Sequence, residues 1–249
     1  MTIATPPPQL AEVMASLEAV GTAQNRKIYA RHGAAEPLFG VSTAELNTLA
    51  KRCRGHHELG LELFATGNHD ARQLAAKIVD PKRFTIGHAN AWAKAVDSYI
   101  TAESVAGVVA RSPHARSRSD HWRDRPNEWL ASTGWAIVAR TAETDIWTVA
   151  ELQQLVKHIE AEIHDRPNRV RHEMNQAIIT IALRTPGLRR TAVAAAKRIG
   201  PVFVDHGETS CTTPDAIAYI DKTVAHRAAK AEKAAAAPPR TTKARAATR

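Results

Sequence analysis

Between residues 166 and 198 the chain sets Arg166, Arg169, Arg171, Arg184, Arg189, Arg190, Lys197 and Arg198 against a single acid, Glu173, a local excess of +7. Side chains of this type bind anions, and their spacing favours a polyanion. Arg166, Arg169 and Arg171 crowd the start of a segment with helical periodicity, and Arg189 and Arg190 lie close to another such start. There the positive end of the helix macrodipole disfavours cations and favours an anion among them. A solvated amphipathic face would carry the same arginines without a partner, but bases placed where they cost stability argue for phosphate. A second excess of +7 runs from Lys222 to Arg249, eight bases against Glu232, in an Ala-rich stretch with the composition of a solvated tail. Since the whole chain carries +9, the remainder is net acidic and the folded body should be electrostatically polarised.

Other constellations fail on spacing. His172 and Glu173 open an apparent HExxH, but the closing position is Gln176, so two imidazoles do not share one helical face for zinc. Asp205, His206, Glu208 and Cys211 fall on one segment at no zinc spacing, and such groups more often cap helices or bond backbone. Asp205, His206 and Ser210 are too close in sequence to converge as a triad, and no GxSxG elbow occurs. No glycine loop is built to cradle a nucleotide phosphate. The two cysteines, Cys53 and Cys211, lie outside any CxxC spacing. No metal and no cofactor are expected. The start MTIATPPPQL lacks the basic and apolar parts of a signal peptide, and no apolar run approaches about 18 residues. A cytoplasmic protein that joins the nucleoid when bound to DNA is the expectation, with no membrane partner.

The elements that position these side chains read almost entirely as helix. Leu10, Val13, Met14, Leu17 and Val20 share a face that Gly21 closes. Further helices are expected over 24–33, 43–54, 58–66, 69–79, 88–100, 101–110, 127–140, 148–164, 166–183 and 188–199, and from Thr213 to about 225. Ser42 with Glu45, and Thr148 with Glu151, have capping-box spacing. Residues 112–125 read as a loop or short helix, and the run PVFV at 201–204 is the one strand candidate. Helices of about 10–18 residues joined by short turns imply antiparallel pairs stacked into an α-solenoid. The absence of a crisp period favours the HEAT/ARM type over tetratricopeptide or ankyrin arrays, with a compact bundle as the alternative.

Four segments resemble the AlkD-type DNA alkylation repair family: LGLELFATGNHDARQLAAKIVDP at 59–81, GHANAWAKAVDSYIT at 87–101, STGWAIVAR at 132–140 and DHGETSCTTPDAIAYIDK at 205–222. The resemblance spans roughly residues 25–225. It implies a HEAT-like solenoid that binds duplex DNA in a concave groove and, in active members, excises N3- or N7-alkylated purines without flipping them out. Such a lesion is cationic and its sugar gains oxocarbenium character on departure, so a carboxylate beside the deoxyribose and aromatic faces would assist. Asp97 in KAVDSY matches the family's carboxylate. The family's tryptophan one turn earlier falls on Ala93, with Trp92 displaced by about 100° around a helix, and the arginine expected before GW falls on Ala131. Without the resemblance, Asp97 reads as a surface carboxylate near a helix end, and Trp92 and Trp135 as core wedges.

The expectation is therefore an all-α solenoid over residues 9–225, flanked by disordered segments 1–8 and 226–249. Its partner would be duplex DNA, damaged or intact, bound by a monomer. Asp97 would be the catalytic residue of an alkylpurine glycosylase, with Trp92, Arg166, Arg169, Arg171, Arg189, Arg190, Lys197 and Arg198 in contact with DNA. The competing readings are a non-catalytic binder of DNA structure and a HEAT-type protein scaffold.

Overall fold

The computed structural model describes residues 8–236, and these residues form helices joined mostly by short links, with longer ones at 32–42 and 200–215, and without a strand. In chain order the α-helices are α1 (Leu10–Ala19), α2 (Ala23–Arg31), α3 (Thr43–Arg52), α4 (His57–Ala65), α5 (His69–Ile78), α6 (Ile86–Lys94), α7 (Tyr99–Val109), α8 (Ala115–Trp122), α9 (Glu128–Thr141), α10 (Val149–Glu162), α11 (Asn168–Arg184), α12 (Pro186–Ile199) and α13 (Ala216–Ala236). Local chemistry sets most of the starts. Ser42 Oγ accepts from Glu45 N, and Thr148 and Glu151 satisfy each other's backbone amides in a full capping box. Pro186 occupies the first position of α12, where its missing N–H costs nothing. The polar stretch 112–125 contains the helix α8, and 201–204 is irregular.

Helices α3, α5, α7, α9, α11 and α13 pack side by side in that order, and α4, α6, α8, α10 and α12 back them as a second row. This is the stack of antiparallel pairs expected from the sequence. α9 lies at its centre and contributes to both apolar clusters, Ile137 to one and Trp135 and Val138 to the other. It is buried nearly all round, and Gly134 makes that possible. A β-carbon there would collide with the Arg123 backbone just after α8, and the Gly134 carbonyl accepts from the buried Ser119 hydroxyl at 3.1 Å. The STGW segment thus reads as a close helix crossing.

The row of odd-numbered helices curls toward one face. Tyr99 at the start of α7 and Arg169 at the start of α11 meet across α9, with the guanidinium carbon 4.0 Å from the ring centre. His32, at the end of α2, hydrogen-bonds the Tyr99 hydroxyl. Contact between side chains on alternate helices of a row accords with a row that bends toward them, and the face they share is the inner one. A buried carboxylate fixes the first turn of the curl. Asp70 is fully shielded and accepts from the amides of Phe39, Gly40 and Val41 at 2.7, 3.0 and 2.8 Å.

The fold extends past the boundary expected at residue 225. α13 continues to Ala236, and Arg227 on it forms a two-pronged ion pair with Glu143 at 2.6 and 2.9 Å. The expected tail therefore begins with ordered helix, because an Ala-rich run has high helix propensity and here also finds a partner. The rest of that tail, and the N-terminal segment before residue 8, lie outside the described residues. Among the described residues no helix is long and apolar enough to cross a membrane, and no group of three or more His, Cys, Asp or Glu is placed to hold a metal.

Candidate nucleic-acid interface

Asp97 does not lie on a helix. The helix expected over 88–100 stops at Lys94, and Ser98 caps α7 by accepting from Thr101 N at 3.3 Å, which leaves Asp97 in the link just before the cap. The cause is local: a serine three residues before a threonine amide competes better as a cap than as helix interior. Both carboxylate oxygens are engaged. Oδ2 accepts from Arg72 Nη1 at 2.7 Å and Oδ1 from Thr101 Oγ1 at 3.2 Å. Arg72 is itself held in place, its guanidinium carbon 5.2 Å from the centre of the Phe64 ring.

Trp92, expected to contact DNA, is packed into the core. It is 4 % exposed, stacked on Phe64 at 3.8 Å with a 6° interplanar angle and set edge-on to Phe84 at 4.8 Å. The apolar face of α6 is a wedge between helix pairs, and an indole there gains more from burial than from solvent. Ala131, at the family's arginine position, is 1 % exposed and belongs to the second core cluster. Trp122, Trp135 and Trp147 are buried and Trp129 is partly buried.

The basic block at 166–198 is dispersed over the molecule. Arg166 turns to the outer row, bonding Glu162 at 3.1 Å and the Arg123 carbonyl at 2.9 Å. Arg189, Arg190, Lys197 and Arg198 lie on α12, an outer-row helix, with the first pair near its start and the second at its end. Arg198 is neutralised by Glu160 through bonds of 2.5 and 2.8 Å. Arg171 is half-buried, its Nε shielded and unpartnered. Arg169 turns to the inner face, where it lies on Tyr99, and Arg184 bonds the Ala142 carbonyl at 3.1 Å. A run of bases in sequence becomes one surface only if its helices share a row, and here they do not.

The structure instead brings together two groups that sequence spacing did not reveal. The first is a basic edge along the C-terminal ends of α3, α5 and α7. Lys51, Arg54 and Lys77 line a cleft of about 400 Å³. Arg111 lies on the next step, bonding the Gly107 and Ala76 carbonyls at 2.9 and 3.3 Å. Lys77 Nζ donates to Asn47 at 3.0 Å. None of these four bases forms an ion pair among the described residues. The signal was present, since each is the basic residue at or just past a helix's last turn, but only the row order shows that they adjoin.

The second group occupies the centre of the inner face. A cleft of about 280 Å³ is bounded by Glu103 of α7, Arg140 of α9 and His172, Glu173 and Gln176 of α11. Glu173 is 5 % exposed, and burial together with the charge of Glu103 pushes its carboxyl up to about 7, against the opposing pull of Arg140 and Arg169. His172 is held down at about 4 by burial and by the neighbouring Arg169 and His206. His206 reaches in from the link between α12 and α13, edge-on to His172 at 5.7 Å, and is likewise lowered by burial and Arg169. The link is pinned in place: Asp205 N donates to Asn168 Oδ1 at 2.7 Å, and Asn168 Nδ2 donates to the Asp205 carbonyl at 2.8 Å.

Comparison with known proteins places this architecture. The family model described as DNA alkylation repair enzyme matches residues 13–220. An uncharacterized protein of Listeria innocua is 30 % identical over 213 residues, covering 83 % of this chain and 93 % of that protein. A second, from Listeria monocytogenes, is 28 % identical over the same shares. A solved structure matches with a TM-score of 0.81 at 29 % identity, covering 88 % of this chain and 95 % of that one. It is described as a new family of proteins related to the HEAT-like repeat DNA glycosylases, with affinity for branched DNA structures. The HEAT-like repeat fold expected from the sequence is thereby shown.

Proposed function

We propose, for a chain that belongs to the DNA alkylation repair enzyme family, that it grips branched or sharply bent duplex DNA along its inner face and holds it without releasing a base. The observation that carries this reading is the state of Asp97. A carboxylate that stabilises a departing sugar cation must offer its charge to that sugar, but here one oxygen is committed to Arg72 and the other to Thr101. The indole nearest in sequence, Trp92, is packed in the core. Excision of N3- or N7-alkylated purines, the finer activity implied by the resemblance, would have to draw on a carboxylate already held by Arg72 and Thr101 and on an indole that is 4 % exposed.

DNA binding is supported by the family and by the unpaired bases Lys51, Arg54, Lys77 and Arg111, which can neutralise phosphates along one edge of the curl. A preference for branched structures is supported by the described affinity of the related solved protein and by the curl, which suits a bent or splayed helix better than a straight one. The protein would act as a monomer at the nucleoid.

The test pairs two assays on the full chain. Binding to a four-way junction, a three-way junction and a linear duplex of equal length is measured by anisotropy at physiological salt. Release of N7-methylguanine and N3-methyladenine is followed by chromatography. Junction binding at least several-fold tighter than duplex, without release above spontaneous depurination, is the expected result. Enzymatic release of either base would replace this reading with the glycosylase one.

A further inference from the structure

We propose that Arg169, His172, His206 and Tyr99 form an anion site that takes a phosphate group. The proposal rests on reading the inner face as the one that meets DNA. Arg169 is only 8 % exposed, yet it forms no ion pair among the described residues, and its Nε is shielded without a partner. A buried guanidinium normally has a carboxylate, because an unpaired buried charge is costly. Arg169 instead lies over the Tyr99 ring, which supports a cation but accepts no N–H in plane. The side chain also sits in the first turn of the 17-residue α11, the end of a helix that repels cations. The backbone at that helix end is already engaged, since Glu128 accepts from Arg169 N at 2.7 Å. The open valences belong to side chains.

His172 lies one turn along the same face, and its Nδ1 is buried without a partner. His206 bonds Thr213 Oγ1 through Nε2 at 2.9 Å, which fixes its ring against His172. Two imidazoles and a guanidinium therefore converge from a helix and a pinned link. The other groups that face this point are His32 on the Tyr99 hydroxyl, Glu103 on α7, Glu128 on the Arg169 amide and Arg140, both on α9, Glu173 on α11, and Asp205 and Cys211 on the link. None of the carboxylates among them lies within ion-pairing distance of Arg169. Burial and, after it, the charge of Arg169 lower both imidazoles, which accords with a cationic point that a bound anion would relieve. A phosphate suits the set because one oxygen can meet the in-plane N–H groups of arginine while others accept from protonated imidazoles.

The phosphate has two possible sources, an internal phosphodiester of a strand crossing the face or the terminal monoester of a strand end. Anisotropy with flapped junctions bearing either a 5′-phosphate or a 5′-hydroxyl separates them, comparing the wild type with Arg169→Gln. Loss of about ten-fold affinity for the phosphorylated flap alone assigns a terminal phosphate. An equal loss for both, with the salt slope reduced by about one counterion, assigns a backbone phosphate. No change in either, with a folded variant, overturns the proposal. Inorganic phosphate titrated into the full chain reads the site without DNA, so a failure of DNA binding cannot be mistaken for a failure of the site. Saturable NMR shifts confined to His172 and His206, and weakened in His206→Gln, are expected. Their absence in the wild type overturns the proposal, even if Arg169→Gln does not fold.

Discussion

Arg72 Nη1 donates to Asp97 Oδ2 at 2.7 Å, binding the first half of α5 to the link before α7. The pair makes the carboxylate a joint between neighbouring repeats. With side-chain exposures of 13 % for Arg72 and 40 % for Asp97, it is partly screened by solvent. Asp97→Asn should therefore lower stability in urea by no more than about 1 kcal/mol. It should change junction affinity by less than about two-fold, well under the 1.4 kcal/mol that a tenfold loss represents. A wild type that releases alkylated purines, and an Asp97→Asn variant that does not, would return Asp97 to the catalytic role.

Asp70 should prove far more important to stability than Asp97. Its three backbone bonds hold residues 39–41 against α5 in a fully shielded site. Asp70→Ala would leave two buried N–H groups and one part-buried one without acceptors, so a loss of about 3–5 kcal/mol is expected from urea unfolding. A loss below 1 kcal/mol would mean that this link does not depend on the carboxylate.

Glu173 and His172 should impose opposite pH dependences on folding. Glu173 is raised from 4.5 to about 7, so the folded state holds its proton more tightly, and the stability it confers is present below the unfolded value and lost as pH rises toward 7. His172 is lowered from 6.5 to about 4, so the unfolded state holds that proton more tightly, and stability rises with pH across that window. In the wild type the two slopes largely cancel where the windows overlap. Glu173→Gln should expose a rising curve and His172→Gln a falling one, each relative to wild type and with a slope of at most about 1.4 kcal/mol per pH unit. Two variants whose curves parallel the wild type would show that neither group is perturbed.

The basic edge should dominate the electrostatics of DNA binding. Replacing Lys51, Arg54, Lys77 and Arg111 with glutamine should flatten the log–log salt dependence by up to about 0.9 for each DNA phosphate that is no longer neutralised. The same change at Arg189 and Arg190, on the outer row, should leave the slope nearly intact. The reverse ranking would put DNA on the outer row.

The periodicity of apolar residues and the stop signals between them suffice to write nearly every helix, because caps, prolines and glycines act within a few residues of themselves. Ser42 and Thr148 behave as their positions foretell, and pairing of short-linked helices follows from their lengths. The resemblance in 59–81 and 87–101 likewise carried the family. Tertiary packing decided what the side chains do. Asp97 took Arg72 as a partner from another repeat. Trp92 turned inward because Phe64 and Phe84 offered it a cavity. The arginines of 166–198 parted because α11 and α12 lie in different rows. Tyr99, Arg169, His172 and His206 met because the row curls, and curvature accumulates from small rotations at every helix crossing, a sum that no local stretch of sequence contains.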